Sequence, residues 1–386
     1  MKKLFILICP LILLAGCVKN KEDYNIDQKN AVAVPASTLF TGAMLNLSNA
    51  LTTPSVNSNV FRLYVQHWTT TTYLDEPRYN LTARTIPLGL WQSIYRDVLS
   101  DLHESKRIIN ADALLSAAQK SNELAQIEIN PTAASAAVKE AAANVFASNA
   151  DNASFPYASS TPINNPIADN LNPILTSRKD FLAANTLINR MNTLNDPRRQ
   201  YYFTTVNNEY KGGLYGFTNV YTDYSSINPN IYALNFPGLL LDYSEVEFLL
   251  AEAVERGFVT GTAATYYNNG ITASIAYWGG STAAATTYLA NTAVAYATAA
   301  GNYKQKIGTQ KWIALYNRGF DAWTEWRRLD YPVLLPPTGG NAPAGLAIPT
   351  RLIYPPTEAS LNSNYKAAAA AIGGDLATTK LFWDKF

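Results

Sequence analysis

The segment from 242 to 257 carries the strongest local folding signal in the chain, and that signal is helical. Asp242 can accept hydrogen bonds from the free amides of a first helical turn, and Glu245 stands three residues on, where a capping box places a glutamate. Apolar residues then recur three and four positions apart until Gly257, which provides a stop. This spacing predicts a helix that is buried along one face.

Helical spacing of apolar residues recurs along most of the chain, whereas the alternation typical of strands is scarce. Further helices are predicted over 37–51, 56–70, 88–110, 112–129, 135–147, 178–194, 262–277, 281–299, 303–317 and 319–328. Two stretches, 148–177 and 204–237, are rich in residues that favour turns and are predicted to be irregular. We expect a mostly α fold of tetratricopeptide-like helical pairs with long irregular loops and little β structure.

Residues 1–16 are predicted to be a signal peptide. Lys2 and Lys3 precede an apolar run, 4–14, that is shorter than the ~20 residues needed to cross a bilayer. Such a segment directs export and is removed, so it takes no part in the mature fold.

The residues after this run resemble a lipoprotein processing site. Leu14-Ala15-Gly16-Cys17 resembles the bacterial lipobox, in which the cysteine receives the lipid, although an ordinary signal peptide could end in cysteine by chance. The cluster Lys21-Glu22-Asp23 resembles the surface-export signal of Bacteroidetes lipoproteins, and its alternative is a solvated tether. We therefore expect a lipid anchor at Cys17 and a tether over 17–36.

Composition excludes several functions. Thirty Lys and Arg residues nearly balance 29 Asp and Glu residues, so the chain lacks the basic excess that nucleic-acid binding requires. The two histidines, His67 and His103, are too few for a His-rich metal centre. Both cysteines, Cys9 and Cys17, belong to the leader and its lipid site, so no disulfide is expected in the mature chain. We expect neither a metal nor another cofactor.

Several motifs, taken in order along the chain, resemble those of the SusD/RagB family. They are LLDYSEVEFLLAEA (240–253), TQKWIAL (309–315), AWTEWRR (322–328), PTRLIYPP (349–356) and FWD (382–384). The resemblance covers the whole mature chain and implies one helical domain over 37–386. It also implies a lipoprotein of the Bacteroidetes outer membrane that faces the cell exterior, binds a nutrient, usually a glycan, and delivers it to a SusC-like TonB-dependent transporter.

The chain departs from the family pattern near 129–132. Members of the family carry there a stretch with a Tyr-Gly-Asp-Val-Pro-Tyr-like motif, on the order of a hundred residues by comparison with typical family length. In this chain Ile129-Asn130-Pro131-Thr132 stands at the position where that stretch would begin and end, without the stretch between. We therefore expect a segment of the family, such as one helical pair, to be missing here.

No catalytic residue is predicted. Glu325 stands between two tryptophans, and an apolar pocket could raise its pKa and make it an acid. Glycoside hydrolysis needs a second carboxyl group ~5 to 9.5 Å away, for which the sequence offers no candidate. The adjacent Arg327 and Arg328 favour an ion pair instead. The aromatic stripe from Trp312 to Trp326 is predicted to be core, His67 to be a satisfied core or groove residue, and His103 to face solvent.

Aromatic residues in two loops suggest where a ligand binds. A neutral sugar presents hydroxyls and an apolar face, so its site needs flat rings flanked by side chains that hydrogen-bond. The candidate ligand-binding residues are Trp68, Tyr73, Asp75, Arg78, Tyr79 and Asn80 in the first loop and Tyr221 and Tyr224 in the second. These side chains could instead pack on the body of the protein or on the transporter. The family resemblance favours the first loop.

Three alternatives to glycan uptake stay open at this point. A secreted α-helical glycoside hydrolase would require the acid pair discussed above. A periplasmic solute-binding lipoprotein would show alternating strands and helices, which the sequence lacks. A member of the same family could bind peptide rather than an oligosaccharide, and the sequence does not identify the ligand.

Overall fold

Residues 34–82, 84–127 and 145–384 are described by the computed structural model. The elements up to residue 202 are, in order, α1 Ala36–Thr52, α2 Phe61–Tyr64, β1 Trp68–Thr70, α3 Ile86–Trp91, a π-helical segment Gln92–Leu99, α4 Ser100–Ala111, α5 Ala117–Ile127, β2 Ala153–Phe155, α6 Pro166–Leu171, β3 Phe181–Ala183, α7 Asn185–Leu194 and α8 Arg199–Tyr202. The π-helical segment and α4 follow α3 without a break, and both pack against α1. This is a helical pair of the predicted kind.

The rest of the described chain is built mainly from helices. Its elements are β4 Gly238–Leu241, α9 Tyr243–Glu255, α10 Ala263–Tyr277, α11 Thr282–Leu289, α12 Tyr303–Ala314, α13 Gly319–Leu329, α14 Glu358–Leu361 and α15 Tyr365–Ala371. α9 packs along α10 and against α12, and α12 packs against α13. Within the described ranges the strands form two antiparallel sheets of two strands each, β1 with β3 and β2 with β4. The predicted mostly α fold is confirmed.

The start of α9 shows how the sequence specifies a helix. The Asp242 carboxylate accepts a hydrogen bond from the Glu245 backbone amide at 2.8 Å, as the capping pattern predicts. The Glu245 carboxylate does not bond back to the cap and instead accepts a bond from Arg318 at 2.6 Å. The cap therefore also ties the first turn of α9 to the residue that precedes α13.

The predicted aromatic core stripe is confirmed, although it is divided between two helices. Trp312, Tyr316 and Trp323 are all buried. Asn317 adopts a left-handed conformation, with a φ of 69°, and separates α12 from α13. His67 is also buried as predicted, and its Nε2 lies 3.0 Å from the Trp312 carbonyl oxygen. His103 faces solvent, again as predicted.

The helix predicted over 56–70 is wrong for most of its length. Only Phe61–Tyr64 is helical, Gln66 has a φ of 56°, and Trp68–Thr70 forms a strand in which Trp68 pairs with Ala183. Every residue from Asn59 to Thr71 is buried, so the sequence carries no contrast between a buried and an exposed face. The β-branched Thr69 and Thr70 suit the strand.

The helix predicted over 88–110 exists, but part of its apolar stripe faces solvent. Trp91, Tyr95 and Leu99 are exposed by 51%, 50% and 44%, while Val98 is buried. The π-helical turns between Gln92 and Leu99 change the direction of successive side chains from that of an α-helix. These residues therefore do not form the single buried face that a period of 3.6 predicts.

Two other predicted helices are shorter than expected. The prediction over 178–194 holds for Asn185–Leu194, because Phe181–Ala183 pairs with β1 as a strand. The prediction over 281–299 holds for Thr282–Leu289. Beyond it the Asn291 side chain accepts the Ala293 amide and donates to the Leu194 carbonyl, bonds that compete with helix formation.

Several predictions concern residues outside the described ranges. They are the signal peptide 1–16, the lipid site Cys17, the Lys21-Glu22-Asp23 cluster, most of the tether 17–36, most of the helix 135–147 and the step at 129–132. These stay predictions. None of the helices in the described ranges is both long and apolar enough to cross a membrane.

Candidate functional site

Trp68, the first predicted ligand-binding residue, lies in the core. Its side chain is only 1% exposed, its indole Nε1 donates to the Tyr316 hydroxyl at 3.1 Å, and its ring packs against Phe181. Arg62 covers the ring from another side, with its guanidinium carbon 5.1 Å from the ring centroid. A ring with no open face cannot stack on a sugar, so Trp68 is not part of the candidate site.

Tyr79 is also buried, in a cluster with Tyr64 and Tyr215. The ring centroids of these two neighbours lie 5.7 and 6.4 Å from that of Tyr79. Burial raises the pKa of Tyr79 to about 12, so its hydroxyl keeps its proton at neutral pH. Tyr79 has a φ of 63° and thus forms the tight turn that ends the segment Asp75–Asn80. Its position indicates a role in holding the loop.

Arg78, Asp75 and Asn80 bond mainly within the protein. Arg78 donates from Nε to the Gly216 carbonyl at 2.9 Å and from its Nη atoms to the carbonyl and side-chain oxygens of Asn341. Asp75 and Asn80 are exposed, and the Asn80 amide donates to the Asp75 carboxylate at 3.1 Å. Arg78 therefore connects its own loop to the loops that contain Gly216 and Asn341. The bond between Asp75 and Asn80 stabilises the turn that these two residues span.

Tyr73 is the first-loop residue that faces an open cleft. Its side chain is 49% exposed and lines a cavity of about 250 Å³, which we name the Tyr73 cleft. The other lining residues are Pro54, Ser55, Val56, Asn57, Thr70, Arg84, Asn170, Arg178, Asp180 and Phe181. The guanidinium carbon of Arg84 lies 5.7 Å from the Tyr73 ring centroid and orients that ring by a cation–π contact.

The strand pair β1–β3 positions this cleft. Beyond the end of β1, the Thr71 amide donates to the Asp180 carbonyl at 2.9 Å, and the Thr71 hydroxyl donates to the Lys179 carbonyl at 2.9 Å. These bonds bring the Arg178–Asp180 segment beside Tyr73 although a hundred residues separate them in the chain. The site is therefore held by paired backbone rather than by the loop alone.

Each charged side chain in the Tyr73 cleft is already neutralised by a neighbour. Arg84 pairs with the buried Glu76, and an Nη of Arg178 lies 2.6 Å from the Asp180 carboxylate. The cleft thus offers hydrogen-bonding groups without an uncompensated charge. Such a lining matches a neutral, hydroxyl-rich ligand better than an anion.

Tyr221 and Tyr224, the predicted residues of the second loop, are half-buried near this strand pair. The Lys179 ammonium lies 5.3 Å from the Tyr221 ring centroid, and that of Lys211 lies 5.0 Å from the Tyr224 ring centroid. Asn219 attaches their loop to β1, because its side-chain amide donates to the Thr70 carbonyl at 2.9 Å. The structure thus brings Tyr221 and the Tyr73 cleft to the two sides of the segment 178–180.

Sequence reasoning missed Arg84, Arg178, Asp180 and Asn219. Arg178 and Asp180 fall at the start of the helix predicted over 178–194, and nothing local indicates that their segment instead leads into β3 beside the first loop. The available signal was the density of Asn and Tyr in 204–237, which identifies a structured loop but not the strand to which it binds.

Glu325 forms the predicted ion pair. Its carboxylate lies 2.5 Å from an Nη of Arg328 and 2.9 Å from the Lys311 ammonium. Burial by itself would raise the pKa of Glu325, but these two cations outweigh burial and lower it to about 2. A group with this pKa does not serve as a general acid at neutral pH. Arg327 lies against Trp323 instead of pairing with Glu325.

Among the described residues, no group of three or more His, Cys, Asp and Glu side chains is arranged to hold a metal ion.

Comparisons with known proteins agree with this architecture. A family model described as SusD-like, starch-binding and associating with the outer membrane matches residues 28–134 and 127–355. The two matched pieces overlap at 127–134, which includes the position where a family segment is predicted to be missing. A comparison with curated proteins finds no match.

Solved structures of similar fold cover most of the chain. A chitin-binding protein is 22% identical, with 91% of this chain and 100% of that chain covered and a TM-score of 0.72. A SusD-like protein of Bacteroidetes AC2a is 18% identical, with 92% and 100% covered and a TM-score of 0.72. A chitin-binding SusD homologue from Flavobacterium johnsoniae is 21% identical, with 90% and 98% covered and a TM-score of 0.66. At these identities the likeness establishes the fold.

Proposed function

Because this chain belongs to the SusD/RagB family, whose members bind nutrients at the outer membrane, we propose that it binds a neutral oligosaccharide in the Tyr73 cleft. Family membership also means that the chain is a binding protein and not an enzyme. The observation that supports the location is the combination of a half-exposed ring, that of Tyr73, with polar groups whose charges are already paired. The ring offers an apolar surface to a pyranose face, while Asn57 and Asn170 offer hydrogen bonds to hydroxyls.

A binding measurement tests this location. The family description names starch, and two structural relatives are called chitin-binding, so the probes are malto-oligosaccharides and chito-oligosaccharides. Tyr73→Ala should weaken binding of the effective probe by about 1 to 3 kcal/mol, because truncating an aromatic contact residue removes its stacking surface. Phe382→Ala is the matched control, since Phe382 is 81% exposed and lies outside the cleft.

Both variants should have the melting temperature of the wild-type protein, because neither removes a buried side chain. Unchanged affinity in Tyr73→Ala, with the fold intact, would contradict the proposed location. A short neutral peptide, tested in the same way, addresses the alternative of a peptide ligand. Tighter binding of that peptide than of either oligosaccharide would contradict the proposed ligand class.

We further propose that the protein is anchored to the outer membrane by a lipid on Cys17, faces the cell exterior and delivers its ligand to a SusC-like TonB-dependent transporter. The lipobox-like residues 14–17, the Lys21-Glu22-Asp23 cluster and family membership support this. Co-purification of a TonB-dependent transporter with the tagged protein from detergent-solubilised outer membranes tests the partnership. Recovery of the protein alone, from membranes that contain such a transporter, would contradict it.

A further inference from the structure

A second, larger cleft lies between the helix that starts at Ile86 and the segment near the C-terminus. Its volume is about 560 Å³, within the range of small-molecule sites. Six of its lining residues carry the argument: Trp91, Gln92 and Arg96 on one side, and Tyr354, Glu358 and Tyr365 on the other. None of these residues belongs to the Tyr73 cleft. We name this cavity the Trp91 cleft.

Trp91 and Tyr95 form a stacked aromatic pair at the surface beside this cleft. Their ring centroids are 3.7 Å apart, the ring planes differ by 17°, and each side chain is about half exposed. Tyr95 supports one face of the indole and so fixes its orientation before any ligand arrives. Two adjacent, half-exposed aromatic rings present a contiguous apolar surface to solvent, the kind of feature that ligand-binding grooves use.

The backbone around the pair is unusual. Gln92–Leu99 is π-helical, and π-helical turns are rare and occur frequently at functional sites. Val98 is the buried residue of this segment, which packs against α1, whereas Tyr95 in the segment and Trp91 immediately before it are exposed. Trp91 and Tyr95 are four residues apart, and in an amphipathic α-helix apolar residues at this spacing usually lie together on the buried face.

The polar groups of the Trp91 cleft suit hydroxyl groups and disfavour an anion. Arg96 is neutralised by Asp97, with Nε and Nη contacts of 2.5 and 2.9 Å. Glu358 accepts a bond from Asn362 at 2.8 Å and has no cationic partner among the described residues. The side-chain amide of Gln92 makes no hydrogen bond within the described part of the chain, so it can both donate to and accept from a ligand. The cleft therefore contains no free positive charge, and the groups that it offers are an aromatic plane, the Gln92 amide and the Glu358 carboxylate.

We propose that the Trp91 cleft is a second oligosaccharide-binding site, in which a neutral pyranose ring stacks on Trp91 and its hydroxyls bond to Gln92 and Glu358. This inference rests on the proposed function for the ligand class, but its location depends on the cleft alone. Because α3 lines the Trp91 cleft and its Gly89 lies against Asn57 of the Tyr73 cleft, a long glycan would extend from one cleft to the other. Simultaneous occupancy raises the affinity for a polymer above that for a short oligosaccharide.

The test compares Trp91→Ala and Tyr73→Ala with the wild-type protein, and Trp91→Phe serves as the conservative variant. The probes are a malto-oligosaccharide and a chito-oligosaccharide, measured by titration calorimetry, and two polymers, soluble starch and a water-soluble chitin derivative. We expect two short oligosaccharides per wild-type molecule and one per molecule of either alanine variant. Polymer affinity should fall at least about tenfold in Trp91→Ala, since bivalent contact is lost, and less in Trp91→Phe. Trp91→Ala should melt at the same temperature as the wild-type protein, because Trp91 is half exposed.

The outcomes separate the two proposals. One-to-one binding that Tyr73→Ala abolishes and Trp91→Ala leaves unchanged would overturn the second site while supporting the first. One-to-one binding that only Trp91→Ala abolishes would support the Trp91 cleft and contradict the location proposed at Tyr73. Failure of every oligosaccharide to bind the folded wild-type protein would contradict both.

Discussion

Gly89 lies so close to Asn57 that a β-carbon at position 89 would stand 2.5 Å from the Asn57 carbonyl oxygen. Asn57 lines the Tyr73 cleft, whereas Gly89 belongs to α3, whose Leu88 and Trp91 line the Trp91 cleft. The close backbone contact thus joins the two proposed binding surfaces and sets their spacing. Glycine is the residue that permits such an approach inside a helix.

Replacing Gly89 with alanine should destabilise the protein, although alanine is the better helix former by about 1 kcal/mol. The added methyl group would clash with a backbone carbonyl, and overpacking of this kind costs about 1 to 3 kcal/mol. We expect a net loss of up to about 2 kcal/mol in the free energy of unfolding, measured with urea.

Gly42→Ala is the matched control. Gly42 lies inside α1, where the nearest atom to an added β-carbon is an Asp101 carboxylate oxygen at the ordinary contact distance of 3.8 Å. This change should be neutral or stabilising by up to about 1 kcal/mol. Equal stabilisation by both substitutions would contradict the close approach at Gly89.

Trp68→Ala should lower the free energy of unfolding of the protein and not only weaken ligand binding. The change removes a large buried ring and the hydrogen bond to Tyr316, and such truncations cost about 3 to 5 kcal/mol. Tyr73→Ala, at a half-exposed position, should cost less than about 1 kcal/mol. Chemical denaturation of the two variants provides the comparison. Wild-type stability in Trp68→Ala, accompanied by lost glycan binding, would place that ring at the ligand after all.

The contrast between these two residues shows what sequence alone can predict here. Helices whose apolar residues recur at helical spacing, such as 37–51, 242–257 and 262–277, can be predicted nearly to their ends because this period is visible in the sequence. The chain from Asn59 to Thr71 is buried throughout, so its strand and its short helix leave no such trace. The prediction that Trp68 lies in a loop and offers its ring to a ligand is therefore wrong.

The amino-acid composition of the first loop predicts that a site lies there, but the sequence does not predict which of the loop's side chains face the cleft. A run of aromatic and polar residues identified the first loop, in which Tyr73 faces a cleft. The partners that decide the other roles are distant in sequence: Arg78 binds Asn341, and Arg178 reaches the cleft through β3. The exposure of Trp91 and Tyr95 could not be predicted either, because apolar residues at helical spacing form the same sequence pattern whether their face is buried or exposed.

Cys17→Ala should release the protein from the membrane fraction. If Cys17 carries the lipid, its thiol is the attachment point, and alanine leaves the exported chain without an anchor. Alanine at Lys21, Glu22 and Asp23 should retain the lipid and reduce exposure at the cell surface. Fractionation measures the first effect, and protease treatment of intact cells measures the second. Undiminished membrane anchoring of Cys17→Ala would refute the lipid-site prediction.

Glu325→Gln should destabilise the packing of α12 on α13, and the size of the effect should depend on pH. The Glu325 carboxylate bridges the buried Lys311 on α12 and Arg328 on α13. Glutamine would leave Lys311 with Glu245 at 3.6 Å as its nearest acidic partner within the described residues. Removing one member of a buried ion pair costs about 3 to 5 kcal/mol, so we expect a loss of this order at pH 7.

The direction of the pH dependence follows from the lowered pKa of Glu325. Its carboxylate has a pKa of about 2 in the folded protein and an ordinary value of 4.5, so the stabilisation is complete above pH 4.5 and is lost as the pH falls toward 2. The difference between wild type and Glu325→Gln should therefore shrink by about 2 kcal/mol between pH 7 and pH 3. Urea unfolding at both pH values measures it. Glu104→Gln, which removes an exposed pair with Arg107, should leave the unfolding midpoint unchanged at both. A Glu325→Gln difference that is as large at pH 3 as at pH 7 would show that the lost contribution is packing and not the charge.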